Sequence, residues 1–516
     1  MKKQCQKLWF LTMTLGSMSF AACNILSGES HVCYYIDAVE GNDLQNGCSE
    51  NEPWKSLERL HELRLAPGDQ IRFKRGQQFK GVLEIRATGT ALSPIVIGAY
   101  GSAAQKPVLS APDSSLFAVR ILNSDYVTLQ DLEIVNHGSD DQPYRTGVRV
   151  ESMNKGVSRG IRLHNLTIRD VNGSLVKREG GGSGIYLVNG GDTLSTFDSL
   201  DIEYCHIRNC QRNAMIWSSY ADRQHWHPNT NVRVRYNLIE EVPGDGIVPI
   251  GCDGAVIEYN VVRRGVEGLA RGQEAAAGIW PWACDNTIIR FNESSDHKAP
   301  WDGQGFDADY NCFNTVIEYN YSHDNYGGMV LVCSSGDEDR TSYCIGTEHP
   351  IVRYNISIGD GNRPYPTRGK MFSPSIHIGG PVRGCTIYRN IIRNKVKAAP
   401  EIDRSMLISD DWSGYADSTC VKENIFYTPE VSRFDFTAST NNFVADNYYL
   451  GEYCNLPQDK NSLRLPSADA ALMEDCGPHG LMQFLDSISI AGGVSCKFVN
   501  KEKIEAFFSR LHSKRQ

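Results

Sequence analysis

A short strand pattern that ends in asparagine recurs along this chain, and this repeat constrains the fold more than any other feature. Successive asparagines of the clearest copies are 23, 32, 28, 35 and 35 residues apart. A fixed motif with variable spacing indicates one structural unit that carries loop insertions. The clearest copies end at Asn237, Asn260, Asn292, Asn320, Asn355 and Asn390, and weaker copies end at Asn165, Asn424 and Asn447.

A second strand pattern, usually led by glycine, follows the first after a gap. Good copies occupy residues 184–188, 246–250, 278–282, 305–309 and 328–332. No helical period separates the two patterns, which argues against alternating strand–helix units. Short strands, an asparagine at a fixed turn and coils of this length instead predict a parallel β-helix, in which coils stack about 4.8 Å apart.

The repeated asparagine is predicted to form an internal ladder, because its side-chain amide can both donate and accept hydrogen bonds. Cys252, Cys284 and Cys312 each lie eight residues before an asparagine of the repeat, so we expect them to stack over three coils. A structural stack or one disulfide is favoured over a metal site, because no histidine or acid recurs beside them. Other cysteines close enough in sequence to bridge are Cys33 with Cys48, Cys333 with Cys344 and Cys454 with Cys476.

The two alternating patterns resemble the pectate-lyase-like superfamily of right-handed parallel β-helices, over roughly residues 34–450. The resemblance implies that the asparagine turn joins the second and third sheets. It also implies that the glycine-led strands form the first sheet, whose outer face carries the active sites. Residues 305–311 (GFDADYN) and 321–325 (YSHDN) further resemble β-helix glycosidases and polysaccharide lyases of Bacteroidota lipoproteins. We therefore expect an all-β solenoid with an N-terminal strand-and-helix cap and a C-terminal cap.

Five segments are expected along the chain. Residues 1–22 have the basic start, short apolar run and small-residue end of a signal peptide. Residues 23–33 form a tether, and 34–125 form the N-terminal cap and first coils, with a helix at 53–65. Residues 126–450 form the parallel β-helix. Residues 451–516 form a C-terminal capping segment with a helix at 501–514.

Cys23 follows Phe20, Ala21 and Ala22, which resembles the lipidation site of bacterial lipoproteins; an ordinary secretory signal cut near Ala22 is the alternative. We expect an exported monomer that is lipid-anchored to the bacterial outer membrane and faces the periplasm or the cell surface. No other run is long and apolar enough to cross a membrane, so membrane contact is expected through the anchor alone. A net charge of −9 argues against nucleic acid as a partner.

The strongest functional signal lies in residues 302–309. Asp307 and Asp309 alternate with apolar residues, so both are expected on one face of a strand, about 6.5 Å apart along the backbone. Hydrolysis of a glycosidic bond uses two such carboxyl groups, and crowding separates their pKa values. Asp302, in the loop that enters the strand, is the third candidate for catalysis.

Aligning the glycine-led patterns on their first residue places Trp280 and Trp282 one coil before the acids and His377 two coils after them, with Val330 between. Exposed aromatic rings suit stacking against sugars, although the insertion at 261–277 could instead cover both tryptophans. The remaining predicted substrate-binding residues come from polar loops near the acids: Lys298, His323, Asp324, Arg368 and Lys370.

The sequence favours a glycoside hydrolase that acts on a polysaccharide or oligosaccharide and needs no metal or other cofactor. One alternative is a polysaccharide lyase for a uronate-containing glycan, in which the three aspartates bind Ca²⁺ and Lys298 or Arg368 removes the C5 proton. Another is a glycan-binding lipoprotein without catalysis that uses Trp280 and Trp282. Residues 302–309 lack the Asp-Asp signature of polygalacturonase-type hydrolases and the chain has no Gly-His-Gly, so the residue roles of that group are not transferred.

Overall fold

The computed structural model describes residues 31–335, 346–367 and 369–465, together with helical positions 483, 502, 504–506, 508 and 509. Almost every regular element is a short strand, and neighbouring strands of the three main sheets pair in parallel. The chain passes through the three sheets in turn, and connections between parallel strands are right-handed. The predicted right-handed parallel β-helix is therefore confirmed. In the described part of the chain, no helix is long and apolar enough to span a membrane.

The first sheet consists of two stacks of six strands. The strands of the first stack are Leu83–Ile85, Phe117–Leu122, Thr146–Met153, Ser183–Gly190, Asn213–Ser218 and Ile247–Val248. The strands of the second stack are Phe306–Ala308, Val330–Cys333, Ile376–Gly379, Ser405–Asp410, Ser432–Asp435 and Tyr453–Cys454.

The second and third sheets run the length of the solenoid without a break. The second contains Cys33–Ile36, Gln70–Lys74, Ile95–Tyr100, Val127–Gln130, Val157–His164, Thr196–Glu203, Asn229–Arg235, Cys252–Asp253, Val256–Glu258, Ile288–Arg290, Val316–Glu318, Ile351–Arg353, Thr386–Tyr388, Cys420–Lys422 and Phe443–Ala445. The third contains Gln78–Lys80, Val108–Ser110, Glu133–Asn136, Thr167–Asn172, His206–Gln211, Leu238–Glu240, Val261–Arg263, Glu293–Ser295, Tyr321–His323, Ile356–Ile358, Ile391–Arg393, Ile425–Tyr427, Tyr448–Leu450 and Leu463–Leu465.

The three sheets enclose one continuous hydrophobic core. Identical or similar side chains stack from coil to coil, as in the column Ile257, Ile289, Ile317, Val352 and Ile387, all of which are buried. Each such side chain contributes about 1.5–3 kcal/mol by leaving water. Because every coil adds a layer to the same column, stability accumulates along the solenoid.

The predicted asparagine ladder is confirmed from Asn237 to Asn447. Each Nδ2 donates to Oδ1 of the next asparagine at 2.9–3.1 Å. Asn165 is the exception, because it lies one residue before the ladder position and its amide bonds Asp131 instead. Cys205 occupies the ladder position next to Asn237, and its N–H donates to Asn237 Oδ1.

Replacing Asn320 with alanine is expected to lower the free energy of unfolding by about 2–4 kcal/mol, because it leaves several buried backbone and amide groups without a partner. Asn320 Nδ2 donates to Ile289 O and Asn355 Oδ1, and its Oδ1 accepts from Asn292. Denaturant unfolding should show this loss. The exposed Asn51 provides the control, and an equal effect of Asn51→Ala would contradict the prediction.

The cysteine stack is confirmed: Cys252, Cys284 and Cys312 are buried free thiols, and Cys252 N–H donates to Cys284 Sγ at 3.3 Å. Cys33 and Cys48 are also free, so no bridge joins them. The other two pairs cannot be compared, because Cys344 and Cys476 lie outside the described residues.

The predicted helix at 53–65 is wrong, since only Leu57–Leu60 forms a single 3-10 turn. Its leucines recur every third residue, a spacing that a 3-10 turn brings onto one side. Leu57 and Leu60 are buried against the first coils.

The signal peptide at 1–22 and Cys23 lie outside the described residues, as do most positions after 465. Within the predicted helix at 501–514, Phe508 is buried and its ring lies 5.0 Å from that of Tyr321.

Candidate active site

The first sheet is interrupted at one coil, next to the three aspartates. Residues 279–282 join Ile247–Val248 to Phe306–Ala308 only through single bridges. Pro281 has no backbone N–H, so it cannot contribute a hydrogen bond to a regular ladder. The insertion at 264–277 enters just before this coil. Both features set the coil that precedes the acids apart from the regular solenoid.

The register of the first sheet confirms most of the predicted neighbours of Asp307. The bridge from the preceding coil places Trp280 beside Asp307. On the other side Asp307 pairs with Leu331, and Leu331 pairs with His377, so His377 lies two coils after Asp307 as predicted. The predicted position of Val330 between them is wrong by one residue, because this strand begins one residue later than its leading glycine indicates.

Asp307 alternates with the core residues Phe306 and Ala308 and so faces outward from its strand, yet it is only 2% exposed. Its Oδ1 is buried and accepts no hydrogen bond from any described residue. Burial raises the pKa of Asp307 well above its usual range, and the neighbouring charges of Asp302, Asp309 and Asp245 raise it further. Asp307 is therefore a buried carboxyl whose surroundings favour its protonated form.

Asp309 is half-buried and has two donors on one oxygen. Its Oδ1 accepts from Tyr310 N–H at 2.6 Å and from Cys333 Sγ at 3.1 Å. Burial raises the pKa of Asp309 to about 6, against the lowering effect of these two donors. This carboxyl therefore gains and loses its proton close to neutrality, which suits a group that transfers protons.

Asp302 is held by a small sheet of its own, in which Trp301–Asp302 pairs with Ala275–Ala276 of the insertion. Its φ of +55° lies in the left-handed region, which non-glycine residues adopt at sites fixed by their surroundings. Arg363 donates to its carbonyl oxygen. Burial raises the pKa of the half-buried Asp302 carboxyl, whereas the nearby cations Lys177 and Arg363 and the imidazole of His377 oppose that rise.

A fully buried ion cluster lies behind these acids. Arg212 is 0% exposed and contacts Asp245 at 2.7 Å and Glu274 at 3.0 Å. Its Nη2 also donates to the carbonyl of Ala275 at 2.5 Å. Because Ala275 pairs with the strand of Asp302, the cluster fixes the insertion that positions this acid.

The sequence analysis did not identify Arg212, Asp245 or Glu274. Asp245 carried a weak signal, since it directly precedes the leading glycine of its strand. Arg212 and Glu274 are separated by 62 residues, and no local pattern relates them. Their pairing depends on the path of the insertion, which the repeat does not define.

Trp280 is 5% exposed, so the prediction of an exposed side chain is wrong. Its Nε1 donates to Asp245 Oδ1 at 2.9 Å, and Lys177 Nζ lies 5.0 Å from its ring centroid. Trp282 is half-buried and lines a cavity. The two tryptophans therefore differ: one supports the site from behind and the other borders open space.

The cavity has a volume of about 360 Å³ and follows the outer face of the first sheet away from the aspartates. This volume lies within the usual range for ligand sites. Aromatic, amide and hydroxyl groups border it together with one lysine. These side chains include Tyr144, Lys177, Tyr186, Asn213, Ser218 and Trp282.

On the opposite side of the aspartates, His377 is part of a second polar and aromatic group. Its Nε2 lies 2.8 Å from Asp410 Oδ1. The rings of Phe372 and Trp412 lie 4.9 Å and 5.4 Å from its imidazole, both nearly perpendicular to it. The first sheet therefore presents aromatic side chains on both sides of the three acids.

Four other predicted binding residues lie elsewhere, and the fifth lies outside the described residues. His323 belongs to the third sheet, because its strand directly follows a ladder asparagine, and it contacts the adjacent Asp324 at 2.9 Å. These two residues therefore do not share the face that carries the aspartates. Lys370 is exposed in a turn, and Lys298 is half-buried near Glu267. Arg368 is the fifth residue and lies outside the described residues.

Comparison with known proteins supports a carbohydrate-active β-helix. A lacto-N-biosidase from Bifidobacterium longum subsp. longum is 27% identical over 454 residues, covering 70% of this chain and 27% of that protein. The GH136 lacto-N-biosidase from Eubacterium ramulus superposes with a TM-score of 0.59 at 25% identity, over 76% of this chain and 67% of that chain. No family model matches the chain.

A PL6 alginate lyase in complex with a trisaccharide has a TM-score of 0.51 at 13% identity, over 84% of this chain and 88% of that chain. This is a likeness of fold alone. The match to the Bifidobacterium longum lacto-N-biosidase covers only 27% of the length of that protein, about a quarter. The predicted resemblance to β-helix enzymes that degrade polysaccharides is confirmed. No cluster of three or more His, Cys, Asp or Glu side chains among the described residues could hold a metal ion.

Proposed function

We propose that this protein is a glycoside hydrolase whose catalytic carboxyl groups are Asp302 and Asp309. One observation carries the proposal: Asp309 directly follows the first-sheet strand at the interruption, Asp302 lies in the small sheet that leads into that strand, and both carboxyl groups are half-buried with raised pKa values. Glycosidases need such a pair, one protonated and one ionised. Asp307 lies between them in sequence, but its burial leaves it poorly placed to touch a substrate.

Asp309 is the proposed general acid. Its pKa of about 6 keeps a large share of the side chain protonated in mildly acidic solution. The protonated carboxyl would donate its proton to the leaving-group oxygen. Burial is the main cause of the raised pKa, as in other glycosidase acids placed in apolar surroundings.

Asp302 is the proposed ionised partner, acting as base or nucleophile. Lys177 and Arg363, with His377, surround it and favour its charged form. An oxocarbenium-like transition state carries positive charge, which an adjacent carboxylate stabilises. Burial raises the pKa of both carboxyl groups. At Asp302 the nearby Arg363 and His377 oppose that rise, whereas at Asp309 hydrogen bonds from Cys333 and Tyr310 oppose it, and the cationic neighbours of Asp302 are the reason for assigning it the ionised role.

The substrate is proposed to lie along the first sheet, across the acids. Trp282 and Tyr186 line the cavity on one side, and Trp412 and Phe372 flank His377 on the other. Aromatic rings provide the apolar faces against which sugar rings pack. Because the similar proteins are lacto-N-biosidases, we propose the lacto-N-biosidase reaction as the first to test.

The direct experiment incubates the full chain with lacto-N-biosidase substrates and with a panel of plant and host glycans. New reducing ends without ultraviolet absorbance of an unsaturated product would support hydrolysis. An unsaturated product that disappears with a chelator would support the lyase alternative. Binding without either product would leave a glycan-binding protein, and Asp309→Asn would then not alter affinity.

The pH profile should be bell-shaped. Activity is expected to fall as the pH rises through about 6, because Asp309 then loses the proton it must donate. It is also expected to fall at low pH, where Asp302 becomes protonated. Initial rates from pH 3.5 to 8.5 would measure both limbs, and a flat profile through pH 6 would contradict the assigned acid.

Export and anchoring are also proposed. Cys23 would carry the lipid after removal of residues 1–22, and the folded part would remain monomeric. Cys23→Ser is expected to move the protein from the membrane fraction to the soluble exported fraction, as measured by fractionation of cells that export it. An unchanged distribution would contradict lipid anchoring through this residue.

A further inference from the structure

Cys333 lies beside Asp309 in the next coil of the first sheet. The register pairs Ala308 with Val332, which brings the two following side chains together. The distance from Cys333 Sγ to Asp309 Oδ1 is 3.1 Å. Cys333 is 1% exposed, so bulk water does not compete for its hydrogen bond. A buried thiol therefore donates directly to the proposed general acid.

The two carboxyl oxygens of Asp309 are not equivalent. Oδ1 accepts from both the Cys333 thiol and the Tyr310 N–H. Oδ2 accepts no hydrogen bond from any described residue, and it is not among the buried polar atoms that lack a partner. Oδ2 is therefore the oxygen that no described donor occupies. A proton on Oδ1 would point towards two donor hydrogens, so the protonated side chain carries its proton on Oδ2.

The backbones of the two strands are held together at this point. Thr347 Oγ1 lies 3.0 Å from the carbonyl oxygen of Asp309 and 2.8 Å from that of Cys333. Thr347 is itself buried. One hydroxyl thus bridges the two residues whose side chains are hydrogen-bonded, which limits how far the thiol and the carboxyl group can separate.

We infer that Cys333 is a positioning residue that occupies Oδ1 of Asp309 and thereby holds the acid's proton on Oδ2, the oxygen that faces the substrate. Cys333 forms no bond with the substrate and acts through Asp309. The consequence for catalysis rests on the proposed function, whereas the hydrogen bond and the side on which Asp309 is protonated do not.

The thiol also affects how readily Asp309 ionises. A donor to Oδ1 stabilises the carboxylate more than the neutral acid, so its loss raises the pKa. Among the other groups near Asp309, none besides the thiol donates a side-chain hydrogen bond to it in the described part of the chain. The charged or titratable groups that act on it are Lys177, Asp302, Asp307, Cys312 and Cys333.

Three substitutions separate hydrogen bonding from packing. Cys333→Ser keeps a hydrogen-bond donor but loses volume. Cys333→Val fills the space but has no donor. Cys333→Ala neither donates a hydrogen bond nor fills the space. The pKa of Asp309 can be followed by carbon NMR of protein labelled at the aspartate carboxyl groups, with Asp309→Asn used to assign the signal. We expect the valine and alanine variants to titrate about half a pH unit higher or more, and the serine variant not to rise.

Two further measurements use the intact protein. The infrared S–H stretching band of Cys333 is assigned as the band that Cys333→Ser removes. In the wild-type protein this band should shift as Asp309 titrates. If the protein hydrolyses glycans, the alkaline limb of kcat should move upwards in the valine and alanine variants but not in the serine variant, with KM little changed.

A different pattern would overturn the inference: alanine and serine variants that behave alike while valine restores the wild-type titration would indicate packing alone. Absence of hydrolysis by the wild-type protein would refute the proposed function but leave the NMR and infrared results intact. The two failures are therefore distinguishable.

Discussion

Asp309→Asn is expected to reduce turnover by about 10²–10⁴-fold, the usual contribution of a general acid. Asparagine retains the shape of the side chain but has no proton to transfer at the pH of the reaction. Asp302→Asn should cause a loss of at least this size, because it removes the charge that stabilises the transition state. Initial rates of reducing-end formation measure both effects.

Asp307→Asn is the matched control, since the same change is made two residues away on the same strand. Burial and the neighbouring acids raise the pKa of Asp307 and favour its neutral form, which an amide of the same volume mimics. We expect a much smaller loss of activity than at Asp309. A loss at Asp307 that equals or exceeds the loss at Asp309 would contradict the assignment of the acid.

Stability distinguishes loss of catalysis from loss of fold. The folded-state pKa of Asp309 is about 6, above its unfolded value, so the folded protein binds the proton more tightly. Stability contributed by this proton is complete below the unfolded pKa and is lost as the pH rises towards about 6. Asp309→Asn should therefore unfold at a higher temperature than the wild type at pH 7.5, and at a similar temperature near pH 4.

The fold was largely predictable because its information is local and repeated. Asparagines that satisfy one another from coil to coil must recur at the same turn, so Asn260, Asn292 and Asn320 alone define the register of the second and third sheets. Alignment of the glycine-led strands likewise located Trp280 and Asp307 on one face.

The parts of the site that were not predictable depend on insertions, which break the repeat. Lys177 lies over the ring of Trp280, and its backbone N–H donates to Glu274 of the insertion that also positions Asp302. The spacing of the repeat contains no information about the path of that insertion. The Cys333–Asp309 contact follows from a strand that begins one residue later than its leading glycine suggests. Local alternation therefore identified the acids but not which of them is open to solvent.

Arg212→Met is expected to destabilise the protein by about 3–5 kcal/mol, the usual effect of removing one partner from a buried ion pair. Methionine approximates the length of the side chain but leaves the buried acids Asp245 and Glu274 without their arginine partner. It also removes the donor to Ala275 O. Thermal or denaturant unfolding should detect the loss, and any activity that remains should be reduced because the strand of Asp302 loses its support.

Arg383→Met provides the matched control for this change. Arg383 contacts Glu348 at 3.1 Å in a pair that is largely exposed on the arginine side, and such surface pairs contribute about 0–1 kcal/mol. Similar effects of the two substitutions would contradict a structural role for the buried cluster. A double variant, Arg212→Met with Glu274→Gln, should recover part of the lost stability, because it removes one of the two acids that the single substitution leaves unpaired.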